Sequence, residues 1–259
     1  MSVLFSIITV CYNADETLVD TIESVLNQTS HDFEYILIDG GSIDTSLEII
    51  KSYERSFEEK QIPYRYLSEA DGGMYEAMNK AIDLSKGTLI GILNSDDWYQ
   101  GRTLETVAQL YNEVNAIGLY CGHMNRVDKN KKVYKTLKNP IDVGSVIKNK
   151  MPVNHPATFV HAEVYKSLGT FDTNYRLSAD YDFIFRAYNA GIPFHFTSEV
   201  LTNMRNSGAT GLLNNLWVTA KEDYQIRKKN AVIGAEFLYL KRAVFNLLII
   251  FRAFLRNLG

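Results

Sequence analysis

Cysteine is scarce in this chain: Cys11 and Cys121 are the two among 259 residues. Two isolated thiols build neither a disulfide framework nor a cysteine-rich zinc site. Proline numbers only five, with no low-complexity tract or internal repeat, so polyproline, collagen-like and solenoid architectures are excluded. No apolar run reaches the roughly 20 residues that a spanning helix needs. The strand-like start at Val3 does not read as a secretory signal, and a cytoplasmic location is expected. Neither sign of charge dominates, the formal net charge being −3. That value hides a contrast, because Lys221–Gly259 carries eight basic residues against three acids and leaves the remainder near −8. So acidic a body is not a nucleic-acid binder.

What the chain does have is apolar content, 46% of its residues, arranged in short bounded runs. Leu4–Asn13, Phe33–Asp39, Tyr64–Leu67 and Thr88–Leu93 read as strands, and each is followed by a segment of helical spacing. Leu18, Ile22, Val25 and Leu26 mark the first helix within Ala14–Gln28, Ser46–Tyr53 the second and Tyr75–Leu84 the next. Asp44 is positioned to cap the second. Such alternation predicts a parallel sheet covered by helices on both faces. Thr9, Asp39 and Asp96 then fall at C-terminal strand ends, where open α/β sheets bind ligands. Asp96 and Asp97 are adjacent carboxylates, which suit a hard divalent cation bridging phosphates.

These residues resemble the inverting family 2 glycosyltransferases of the GT-A fold. The match runs through Ser6–Asn13, Glu23–Thr29, Ile38–Asp44 and Asn94–Asp97, then more loosely through His155–Phe159 and Ser178–Asp182 to about residue 205. The resemblance implies an α/β fold with a mostly parallel central sheet flanked by helices and extended by C-terminal helices. It implies a metal-dependent transfer of a sugar from a UDP-sugar, with inversion at the anomeric carbon, without identifying the sugar; a hexose or N-acetylhexosamine is the expected one.

Residue by residue, it implies that Asp39 accepts a hydrogen bond from uracil and that Thr9 and Tyr12 flank the base. Asp71 contacts the donor, Asp96 meets its ribose or metal side, and Asp97 coordinates Mn²⁺ or Mg²⁺. The family's Glu-Asp pair at a helix start reads Ala179-Asp180 here, so Asp180 matches the base that deprotonates the acceptor, with Asp182 as its substitute. His155 is a candidate acceptor or diphosphate contact. Tyr120, Tyr134, Tyr175, Tyr181 and Trp217 are candidates for stacking on sugar faces, most of them expected in the core.

The expected organisation is a catalytic domain over 1–215, with a nucleotide-sugar half at 1–100 and an acceptor half at 101–215, then a basic amphipathic tail at 216–259. At helical spacing Lys241, Arg242, Arg252 and Arg256 form a basic stripe, extended by Asn246 and Asn257, beside an apolar surface. This pattern fits a helix lying on an anionic membrane, the alternative being one docked on protein. Bacterial O-antigen and capsule repeat-unit enzymes look like this, which points to a lipid-linked saccharide acceptor and a peripheral position on the inner face of the plasma membrane. Turn-rich Asn203–Gly211 is expected to be a mobile loop over bound donor. Two other functions compete. A nucleotidyltransferase should carry a basic Gly-rich loop after its first strand, where this chain has Cys11-Tyr12-Asn13-Ala14-Asp15. A non-catalytic sugar-nucleotide-binding assembly subunit would have no use for Asp180.

Overall fold

The computed structural model describes residues 3–205 and 209–256, with side chains over 3–205 and 215–250. The chain opens β1 (Phe5–Cys11), α1 (Leu18–Leu26), β2 (Phe33–Asp39), α2 (Ser46–Ser52), α3 (Glu54–Glu59), β3 (Tyr64–Ser68), α4 (Met74–Leu84) and β4 (Leu89–Ile92). It continues with β5 (Trp98–Tyr99), α5 (Thr103–Val114), β6 (Leu119–Val127), β7 (Val133–Leu137), α6 (Val143–Ile147), a 3₁₀ turn at His155–Ala157, β8 (Thr158–His161) and α7 (Ala162–Leu168). Last come α8 (Ala179–Asn189), β9 (Phe194–Arg205), α9 (Ala209–Lys229) and α10 (Ala235–Arg256).

One sheet runs β3-β2-β1-β4-β8-β6-β9-β5, with β7 paired to β6. Every residue of β1 and β2 is buried, which is why both read as continuous apolar runs: helices cover both faces of a parallel sheet. Pairing is parallel from β3 through β4 and between β6 and β9, whereas β8 runs antiparallel to both β4 and β6. The sheet is therefore mixed beyond β4. The β6–β7 hairpin at Asp128–Lys132 is too short to hold the crossover that a parallel pair requires.

The expected α1 face is buried throughout at Leu18, Ile22, Val25 and Leu26. Asp44 stands one residue before the N-cap Thr45 and accepts the Ser46 amide at 2.9 Å. The division at 215/216 falls inside α9, whose Leu216, Ala220 and Ile226 are buried. Of the expected mobile segment, Asn203–Arg205 end β9 and α9 begins at Ala209, while 206–208 lie outside the described residues.

The last helix packs on α9, with Tyr224 and Tyr239 at 5.2 Å between ring centroids. Asn246 is buried there, its Nδ2 donating to Leu216 O at 3.0 Å. It does not extend a basic stripe, because the tertiary contact takes its face. Lys241 and Arg242 are exposed, and so are Phe237, Leu240, Val244, Leu247 and Leu248. The side chains of Arg252, Arg256 and Asn257 lie outside the described residues. No helix among the described residues is long and apolar enough to cross a membrane.

Candidate active site

A cleft of about 2270 Å³ opens along the C-terminal ends of β1, β2 and β4 and is closed on its far side by the β6–β7 hairpin, the loop before β8 and the start of α8. Its lining includes Tyr12, Gly40, Asp71, Asp96, His155 and Asp180. Residues 105 positions apart meet here, because strand order rather than chain order fixes what faces the crevice.

At the end of β1, Tyr12 projects into the cleft with 63% of its surface exposed, which leaves an aromatic face ready for a planar ligand. Thr9 lies deeper in β1, is fully buried, and its hydroxyl meets Tyr35 Oη at 3.0 Å. The side-chain alternation of a strand turns it into the core, away from any base in the cleft.

Asp39 ends β2 but is also fully buried. It accepts Ser68 Oγ at 2.6 Å, the hydroxyl and amide of Ser42, and Cys11 Sγ at 3.7 Å. Burial, with Asp39's charge beside it, pushes the Cys11 thiol up to about 12. Turning after β2 requires Gly41, whose φ of +78° lies in the left-handed region. A Cβ on Gly40 would stand 3.1 Å from Asp71 Oδ2, so the absence of a side chain there lets Asp71 lean over the strand end. Asp71 itself accepts the Gly73 amide at 2.8 Å.

The adjacent carboxylates after β4 have separate environments. Asp96 is on the cleft lining and partly exposed. Asp97 is 1% exposed and fully engaged: Asn94 Nδ2 donates to it at 3.1 Å and the Arg205 amide at 3.1 Å. Arg205 also donates to Asp96 O at 3.1 Å and to Asp20 at 2.5 Å, and covers the Trp98 ring at 5.0 Å. Burial raises both acids above their ordinary values, and the charge of Asp96 raises Asp97 further. Hard oxygen donors crowded in this way suit a divalent cation. No cluster of three or more ligating side chains exists among the described residues, so a metal here would draw most of its shell from substrate and water. Of the two acids expected at the donor site, Asp96 reaches the cleft and Asp97 is buried behind it.

Across the cleft, Asp180 occupies the first turn of α8. Both of its hydrogen bonds fall on Oδ1, from Tyr75 Oη at 3.1 Å and from the Tyr181 amide at 2.9 Å. Asp182 points the other way. It is fully buried, with Arg186 Nε at 2.8 Å and Lys229 Nζ at 3.0 Å, since residues two apart on a helix face different directions. Glu222 of α9 receives the amides of Arg176, Leu177 and Ser178 at 2.8, 2.9 and 3.0 Å, which fixes the approach to α8. His155 lines the same wall, edge-on to Phe171 at 5.9 Å. Burial lowers its pKa, partly offset by the charge of Asp180. Of the stacking candidates, Tyr120 and Tyr181 are core, Tyr175 lies on the cleft lining, and Tyr134 and Trp217 are exposed elsewhere.

Tyr75, Arg205 and Glu222 were not foreseen as site-building residues. Each acts through a partner more than 40 positions away, and no local pattern encodes such a contact.

The Glycosyl transferase family 2 model matches residues 6–175. A PGL/p-HBAD biosynthesis glycosyltransferase of Mycobacterium bovis (strain BCG / Pasteur 1173P2) is 30% identical over 215 residues, covering 82% of this chain and 80% of its own. Among solved structures, the mannosyltransferase PcManGT from Pyrobaculum calidifontis, in complex with GDP-Man and Mn²⁺, superposes with a TM-score of 0.68 at 16% identity, over 94% of this chain and 74% of that one. Staphylococcus aureus TarS 1–349, in complex with UDP-GlcNAc, gives 0.67 at 16% identity, over 90% and 72%. Fold, family model and relatives agree, and the chain belongs to glycosyl transferase family 2.

Proposed function

We propose that this chain transfers a hexose or N-acetylhexosamine from a UDP-sugar, with inversion, to a saccharide carried on a polyprenyl diphosphate in bacterial surface-polysaccharide synthesis. The observation that carries the reading is Oδ2 of Asp180, which accepts no hydrogen bond among the described residues and stands on the wall facing the strand ends. With Oδ1 occupied by Tyr75 and the Tyr181 amide, Oδ2 is the atom available to an acceptor hydroxyl. It takes the hydroxyl proton as the oxygen attacks the anomeric carbon and the bond to the nucleoside diphosphate breaks. Tyr12 supplies a face for the base and Asp71, on the cleft lining, an acceptor for its N–H group, while the buried Asp39 holds the loop after β2 in place through Ser42 and Ser68. A bound Mn²⁺ or Mg²⁺ contributes Lewis-acid charge toward the departing diphosphate. Asp96 would hold it, with Asp97 behind.

Calorimetric titration of UDP, GDP and dTDP, with Mn²⁺ and then with EDTA, tests this reading. The expected result is metal-dependent binding of UDP; no binding of any nucleotide would overturn it. One observation favours a guanosine donor as a second reading. The base end of the cleft, lined by Val10–Thr17, Gly40, Gly41 and Ala70–Met74, contains acids but no Lys or Arg. Guanine presents two adjacent N–H donor groups to such a surface, where uracil presents one between two carbonyls. Tighter GDP than UDP binding in the same titration would decide for it.

The membrane part of the proposal rests on α10. Its exposed Phe237, Leu240, Val244, Leu247 and Leu248 stand beside Lys241 and Arg242, the combination that seats a helix at an anionic interface. Cosedimentation with vesicles containing anionic lipid, and failure to sediment with purely zwitterionic ones, is the expected result. Recovery in the supernatant from both would assign the helix face to a protein partner.

A further inference from the structure

The wall of the cleft opposite the nucleotide end is basic. Arg126, Lys135, Lys138, Lys150 and Arg176 all line it, drawn from β6, β7 and the loops before β8 and α8. None of these side chains forms an ion pair or donates a hydrogen bond among the described residues. By contrast, Arg55, Arg65, Arg102, Arg186, Arg205 and Arg227 each have a carboxylate within 4 Å.

Two further observations point to a ligand. Arg126 Nε is buried with no partner among the described residues, and buried donors are normally satisfied. Arg126 and Lys135 are also direct cross-strand partners in the antiparallel β6–β7 pair. Such partners share one face of the sheet, and like charges there repel. Arg126 further pairs with Met204 of β9, itself on the cleft lining, so the guanidinium belongs to the cleft and not to the outer surface.

We infer that Arg126 and Lys135, supported by Lys138, Lys150 and Arg176, form a subsite for a phosphate or diphosphate group attached to the acceptor. A guanidinium beside a flexible ammonium matches phosphate oxygens in charge and hydrogen-bond geometry. The donor's own diphosphate belongs at the other end, beside Asp96 and the loop 70–74. The inference rests on the glycosyl-transfer reading proposed above and adds the residues that recognise the anionic part of the acceptor.

The test uses the full chain with inorganic pyrophosphate as probe, in buffer holding Mg²⁺ in excess of all ligands, with and without saturating UDP or GDP. Pyrophosphate is expected to bind in both conditions. In the double variant Arg126→Gln/Lys135→Gln its affinity should fall at least tenfold, while nucleotide affinity changes less than twofold. Thermal unfolding of the variant should be unchanged or raised, because a like-charge pair is removed. The exposed pair Lys138→Gln/Lys150→Gln gives an independent reading, with a threefold or larger loss expected. Displacement of pyrophosphate by nucleotide would overturn the inference, by assigning the wall to the donor, and so would equal affinity in wild type and both double variants. Failure of nucleotide to bind, with pyrophosphate still bound, would instead overturn the donor assignment and leave the basic subsite standing.

Discussion

The phenolic hydroxyl of Tyr75, near the start of α4, donates to Oδ1 of Asp180, in the first turn of α8, across 3.1 Å. It ties α4 to α8 across the cleft and orients the carboxylate. Replacing Asp180 by Asn should lower kcat on the order of 10³-fold with nucleotide affinity unchanged in calorimetry. Near-normal turnover would remove Asp180 as base. Tyr75→Phe keeps the base but not its anchor, and should lower kcat about tenfold with little change in donor KM.

Asp182→Asn should act on stability rather than on chemistry. The buried carboxylate neutralises Arg186 and Lys229, and both cations retain some solvent, so a loss of about 2 kcal/mol is expected. Denaturant titration gives the loss, and the specific activity of the folded fraction should match wild type. A selective fall in kcat would restore Asp182 as a candidate base.

Arg205 holds the main chain at Asp96 and donates its amide to Asp97. Arg205→Ala keeps that amide but removes the guanidinium bridge to Asp20. The expected result is a five- to tenfold rise in donor KM and weaker Mn²⁺ dependence, on the order of 1 kcal/mol per lost charged hydrogen bond. Unchanged donor KM would show that the backbone holds the acidic pair unaided.

Burial lowers the pKa of His155, and the sign of its linkage follows. Between the folded and unfolded pKa values the unfolded chain binds more protons, so stability rises with pH in that window. The contribution is present above the unfolded histidine pKa, about 6.5, and is lost as pH falls through the folded one. Unfolding free energies at pH 7.5 and 5.5 should therefore differ less in His155→Gln than in wild type, and an equal difference would contradict the assignment.

Both thiols should be inert in the native protein. Burial pushes Cys11 and Cys121 each up to about 12, which leaves almost no thiolate near neutrality. Labelling with a thiol-specific chromogenic disulfide should be negligible until denaturant is added, then yield two equivalents per chain. Rapid native labelling of Cys11 would mean that the cleft floor opens.

The framework follows from the order of the amino acids alone. The runs at Phe33–Asp39 and Leu89–Ile92 are legible because strands buried on both faces must be apolar along their length, and α1 because a single buried helical stripe imposes its spacing. Strand ends followed by polar residues also marked Asp96 beside the crevice, and the family resemblance added Asp71 and Asp180. Which acids reach the crevice depends on the packing of distant segments. Asp96 and Asp97 are neighbours of identical chemistry, yet one meets the cleft and the other is taken by Arg205 and Asn94. Asp180 and Asp182 divide in the same way, the second held by Lys229 from 47 positions away. Local spacing fixes that two residues diverge, but it cannot fix which one faces solvent. That choice belongs to the packing of α8 against α9 and of β9 beside β5, where burying one carboxylate is tolerable only because distant cations and amides arrive to meet it.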